Sequence, residues 1–218
     1  GIGPGQVAGM FDYIRDPAEI YKKSFSLVRG ESDLSGFDDA EADVAVRLIH
    51  ACGLPDIAAD LVFSDAAVMA GRGALVAGAT VLVDAEMVAH GIIRGRLAGN
   101  NDIVCTLNDD GVRAAAENLK TTRSAVAVDL WGDRLDGSVV AIGNAPTALF
   151  RLLELLASGA PRPAVICGFP VGFVGAAESK DALIERATEW GVPFITLTGR
   201  MGGSALAAAC VNALAGDS

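Results

Sequence analysis

His50 is one of only two histidines in 218 residues, and imidazole is the side chain whose ordinary titration falls nearest neutrality. Arg47 precedes it by one helical turn and Asp43 by two, so on a helix the three share a stripe. A proton donor one turn from a guanidinium suits an acid working beside an anion. The local alternative is an Asp43–Arg47 ion pair, worth about 0.3 kcal/mol, with His50 a surface or satisfied core residue.

The element that must carry these residues is legible. Asp38 or Asp39 caps a helix, acidic residues fill its first turn, and Gly53 supplies the left-handed stop. Val44, Leu48 and Ala51 form its apolar stripe. His50 falls in the last turn, where the helix dipole favours a cation.

Composition narrows the function classes. The chain is 51% hydrophobic, enough to fill one domain with a sheet covered on both faces. Its net charge of −10 lacks the basic footprint that nucleic acid needs. The longest charge-free apolar stretch, from Pro163 to Ala177, is too short and too broken by proline and glycine to cross a membrane. Gly1 to Gly9 has the look of a leader or an engineered remnant, and residues 10–218 of a single domain. The four cysteines are scattered, which predicts buried reduced thiols, no zinc site and a cytoplasmic protein.

From Thr80 onward strand and helix signals alternate. Strands are expected at Thr80–Val83, Asp102–Thr106, Ser138–Gly143, Ala164–Cys167 and Phe194–Leu197. Helices are expected at Ser124–Leu135, Pro146–Ser158, Glu178–Trp190 and Ser204–Leu214. The alternation predicts a three-layer α/β sandwich with a mainly parallel sheet, preceded by a helical N-terminal lead from Phe11 to about Gly78.

Open parallel sheets bind ligands outside the carboxyl ends of their strands. Three glycine-containing loops fall there: Gly143–Thr147, Gly168–Lys180 and Gly199–Ser204. Their backbone N–H groups are candidates to hold carboxylate or phosphate, and tight turns are the plainer reading. None carries a phosphate-loop or dinucleotide fingerprint. Asp84 is expected to cap the helix after its strand, His90 to complement that helix's end, and Arg123 to stand at another strand-to-helix junction.

Several segments, in order through nearly the whole chain, resemble precorrin-8X methylmutases of cobalamin biosynthesis. They include Asp12-Tyr13-Ile14-Arg15-Asp16-Pro17, Ile20-Tyr21-Lys22-Lys23-Ser24-Phe25, Arg47-Leu48-Ile49-His50-Ala51-Cys52-Gly53 and Pro170 to Lys180. The resemblance implies a flavodoxin-like fold. It also implies an intramolecular methyl migration on ring C of a tetrapyrrole, giving hydrogenobyrinic acid without metal or organic cofactor. It puts the catalytic histidine at His50 and substrate-binding residues at Ser24, Arg47 and Arg123. It further implies a homodimer with the active site at its interface. The alternatives are a mutase acting on the cobalt-containing substrate, a non-catalytic corrinoid carrier, and a nucleotide-binding enzyme of the same fold.

Overall fold

The β-branched runs form strands of only three or four residues in the computed structural model, which describes residues 11–216. The expected leader, Gly1 to Gly9, lies outside the described residues. The strands are β1 (Leu61–Phe63), β2 (Val81–Val83), β3 (Ile103–Cys105), β4 (Val139–Ile142), β5 (Val165–Gly168) and β6 (Phe194–Leu197). They make one sheet in the order β1-β6-β5-β4-β2-β3. All pairs are parallel except β1 with β6, where Leu61 faces Leu197. From β2 onward this is the flavodoxin-like order, with the topological switch between β2 and β4.

Strand side chains alternate between two cores, as the period of two requires. Val81, Val83, Val139, Ala141, Val165 and Ile195 point to one face, covered by α3 (Ala67–Val76), α4 (Glu86–Gly91) and α9 (Ser204–Ala215). Leu82, Val140, Ile142, Ile166 and Phe194 point to the other, covered by α6 (Arg123–Asp129), α7 (Pro146–Ala157) and α8 (Ala176–Ala187). The short α5 (Val112–Leu119) packs on α6. The first two helices, α1 (Pro17–Glu31) and α2 (Asp39–Cys52), form an outer tier, with α2 packed chiefly on α9.

Some expectations change here. The N-terminal lead is not wholly helical, because Leu61–Phe63 adds the antiparallel edge strand. The helix expected from Ser124 to Leu135 ends at Asp129. A 3-10 turn, Gly132–Leu135, follows it, with Gly132 at φ 52°. The eight residues of α5 carry a helix where only the preceding turn was expected. Cys167 and Cys210 are buried free thiols, whereas Cys52 and Cys105 are half-buried.

Candidate functional site

The helix that carries His50 is built as its sequence demands. Asp38 Oδ1 accepts the Glu41 N–H at 2.8 Å, Glu41 Oε2 accepts the Asp38 N–H at 3.1 Å, and Gly53 closes the helix at φ 72°. Val44, Leu48 and Ile49 are buried, each worth roughly 1.5–3 kcal/mol, so α2 is a firm base. Ala51, expected in the apolar stripe, is exposed instead.

By contrast α1 buries no residue and is held on α2 at a few points. Ser24 Oγ lies 2.7 Å from His50 Nδ1. The rings of Tyr21 and Phe25 stand 5.5 and 5.4 Å from the imidazole, Phe25 edge-on. A hydroxyl can donate to a neutral imidazole nitrogen or accept from a protonated one. The Ser24 contact therefore persists through a proton cycle on His50, and Nε2 has no hydrogen-bond partner among the described residues.

Asp43 is engaged from the neighbouring helix. Its carboxylate pairs with Arg29 of α1 at 2.6 Å. Arg47 lies with its guanidinium 5.4 Å from the centre of the Phe25 ring, a cation–π distance. The helix that docks on the expected Asp43–Arg47–His50 stripe thus brings each of the three a partner from α1.

His50 and Arg47 line an open cavity of about 260 Å³ between α1, α2, α9 and the segment after α4. Among the described residues its wall includes Tyr21, Arg96, Asn212 and the small face Ala205, Ala208 and Ala209. The chain holds 27 Asp and Glu, yet none lines this cavity among the described residues. Two guanidiniums and an imidazole in one lining, with no carboxylate among the described residues, favour an anionic ligand.

At the carboxyl ends of the strands the first glycine loop already holds an anion from the chain itself. At the switch between β2 and β4 the Asp84 carboxylate, almost fully buried, accepts the N–H groups of Gly143, Asn144 and Ala145 at 2.8, 3.0 and 2.8 Å. The chain thus fills with its own carboxylate the crevice where such folds receive a phosphate. Asp84 caps no residue of α4, whose N-cap is Ala85. Burial pushes the Asp84 carboxyl pKa up, and the three amides pull against it.

The other two glycine loops are likewise tied to each other. Val171 N–H donates to Asn144 O, Gly172 N–H to Arg200 O, and Gly203 N–H to Phe169 O. Gly202 sits so close to this crossing that a Cβ there would clash with the carbonyl oxygens of Phe169 and Pro170. Lys180, buried beneath it, donates from Nζ to Met201 O at 2.6 Å. Burial pushes its pKa down to about 8, with Asp181 and Asp60 opposing. The amides of Val171, Gly172 and Gly203 are thus occupied within the chain, as the plainer tight-turn reading has it.

The structure therefore brings Ser24, Arg47 and His50 together and leaves Arg123 apart. Arg123 opens α6 on the opposite face of the sheet. Its neighbour Thr122 caps that helix and touches Thr147 Oγ1 at 2.7 Å. His90 closes on its own helix, with Nδ1 2.7 Å from Glu86 O. Tyr21, Phe25, Arg96 and Asn212 were not anticipated. The aromatics at helical spacing around Ser24 carried a usable signal, whereas nothing local marks Arg96 or Asn212.

Comparison with known proteins gives one answer. A family model for precorrin-8X methylmutase matches residues 19–216. A precorrin-8X methylmutase of Sinorhizobium sp is 58% identical over 205 residues, covering 94% of this chain and 97% of that protein. A cobalt-precorrin-8 methylmutase of Priestia megaterium is 36% identical, covering 91% and 87%. The solved structure of a precorrin-8X methylmutase from Thermus thermophilus superposes with a TM-score of 0.81 at 41% identity, covering 90% of this chain and 95% of that one.

Proposed function

Since the chain belongs to the precorrin-8X methylmutase family and is an isomerase, we propose that it moves a methyl group within precorrin-8X, using His50 as the acid. The observation that carries the reading is the imidazole clamped by Ser24 in a cavity whose described lining is cationic and free of carboxylates. The identity of 58% to a precorrin-8X enzyme, against 36% to a cobalt-precorrin-8 enzyme, favours the cobalt-free substrate.

A methyl shift between adjacent ring carbons breaks one C–C bond and forms another, with no nucleophile and no net proton change. His50 lends a proton to the macrocycle, which draws electron density toward the carbon receiving the methyl group, and takes it back afterwards. Arg47 pairs with a carboxylate on the ring periphery. Ser24 acts through His50, orienting the ring, rather than as the substrate contact the resemblance implied.

The partner is a second copy of the chain, giving a homodimer in the cytoplasm. At about 260 Å³ the cavity is smaller than the roughly 300–1,000 Å³ that encloses a drug-sized ligand, and a tetrapyrrole exceeds such a ligand. One chain thus covers only part of the macrocycle. Ile20, Tyr21 and Leu27 of α1 and Ile93 across the cavity are exposed apolar side chains that a second subunit would cover. The substrate contact that the resemblance implies for Arg123, which lies on the other face of the sheet, would have to be made through the second subunit. A single-chain mass in sedimentation would remove this part of the reading. The four free cysteines suit a reducing compartment, and no described helix is long and apolar enough to cross a membrane.

The test is to incubate the protein with precorrin-8X and follow its visible spectrum. The expected outcome is conversion to hydrogenobyrinic acid, with His50→Ala still binding the ring but not rearranging it. An unchanged chromophore with the parent protein would indicate a carrier, and full activity in His50→Ala would remove His50 from the chemistry.

A further inference from the structure

Between α4 and β3 the chain runs along the rim of the His50 cavity, and α9 pins it there. Asn212 Oδ1 accepts the Ile93 N–H at 2.8 Å, and Asn212 Nδ2 donates to Gly91 O at 3.0 Å. One amide thus takes a donor and an acceptor two residues apart, as a neighbouring strand would, and fixes both the position and the tilt of the segment. Gly91 lets it come this close, because a Cβ there would stand 2.6 Å from the Cβ of Ala208.

The 3-10 turn Arg94–Arg96 continues from this anchor, with Arg96 N–H bonded to Ile93 O at 3.0 Å. The turn sorts its two arginines. Arg94 lines a separate cavity with Glu86, His90 and Cys105, whereas Arg96 lines the cavity of His50 and Arg47. Arg96 is half-buried and has no ion pair or hydrogen bond from its side chain among the described residues. No acid lines its cavity among those residues either. A partly desolvated guanidinium with a planar fork of donors, and no anion facing it among the described residues, is a receptor for a carboxylate from outside the chain.

We propose that Arg96 is a second carboxylate-binding residue of the site, and that Asn212 is the positioning residue that aims it. The proposal rests on the methylmutase reading. Its consequence concerns registration. A flat macrocycle held by Arg47 alone can swivel about that one ion pair, carrying the migrating methyl group away from His50. A second guanidinium, on a different element of the same cavity, fixes the rotation. Arg96 thereby sets which edge of the ring faces the acid, so it contributes to kcat as well as to binding.

The experiment is an absorption titration of the purified protein with hydrogenobyrinic acid and with its fully methyl-esterified form, alongside steady-state kinetics on precorrin-8X. For Arg96→Gln the expected result is about a tenfold weaker Kd for the free acid, no change for the ester, and a fall in kcat. Arg96→Lys should recover part of the affinity, since it keeps the charge but loses the fork. Asn212→Ala should reproduce the selective loss on the free acid and add little when combined with Arg96→Gln. Equal weakening for acid and ester, or a Kd and kcat unchanged in Arg96→Gln while the parent turns over precorrin-8X, would overturn the assignment of Arg96. A parent protein that neither binds nor converts either tetrapyrrole would instead overturn the methylmutase reading, and the proposal with it.

Discussion

If Ser24 works by orienting His50, the two residues must lose their effects together. Removing a positioned general acid costs about 10²–10⁴ in rate, or about 3–5 kcal/mol, which sets the expectation for His50→Ala. The Ser24 Oγ–His50 Nδ1 bond of 2.7 Å joins a half-buried serine to an exposed histidine. Such a bond contributes about 0.5–1.5 kcal/mol, so Ser24→Ala should lower kcat by about 2- to 10-fold. Stability should change little in either variant, because α1 buries no residue and His50 lies outside the packed stripe of α2. In the His50→Ala background the serine has nothing to orient, and Ser24→Ala should have no further effect. The coupling energy of the double-mutant cycle then equals the whole cost of Ser24→Ala, about 1 kcal/mol. The assay is single-turnover conversion of precorrin-8X with enzyme in excess, followed by visible absorption, with thermal unfolding as the control. The same fold-loss from Ser24→Ala in both backgrounds would refute the argument and return Ser24 to the role of a direct substrate contact.

Two further outcomes concern the carboxyl edge of the sheet. Asp84→Ala removes the acceptor for three amides, one of them buried, and should cost about 3 kcal/mol or more in urea unfolding. A loss below about 1 kcal/mol would mean that water replaces the carboxylate. Lys180 has a pKa lowered from 10.5 to about 8 in the folded chain, so between those values the unfolded chain holds the extra proton. Unfolding free energy of the parent should therefore rise with pH across that window relative to Lys180→Met, by about 2 kcal/mol once solvent screening is allowed for. Parallel pH profiles for the two proteins would show that burial does not perturb this lysine.

What could be read in advance was what residues close in the chain decide together. The bounds of α2 follow from a capping box and a left-handed glycine within the helix itself, and β6 falls at Phe194–Leu197 as expected. β1 could not be read, since it sits among helix and turn signals and its pairing partner, β6, lies far along the chain. The glycine loops illustrate the same limit. Their amides had the right chemistry for an anion, but the anion that meets the first of them is Asp84, some 60 residues earlier in the chain.

Sequence alone determined the family, the α/β alternation and the placement of His50 in the last turn of a capped helix, because motif and helix geometry are local. Only the tertiary structure decided what surrounds that imidazole. It gave His50 a serine 26 positions away, drew Asp43 off to Arg29, kept Arg123 out of the cavity and brought Arg96 into it. Each of these depends on where α1, α9 and the turn after α4 dock. Docking is settled by the burial of faces distant in sequence, which the residues around His50 do not encode.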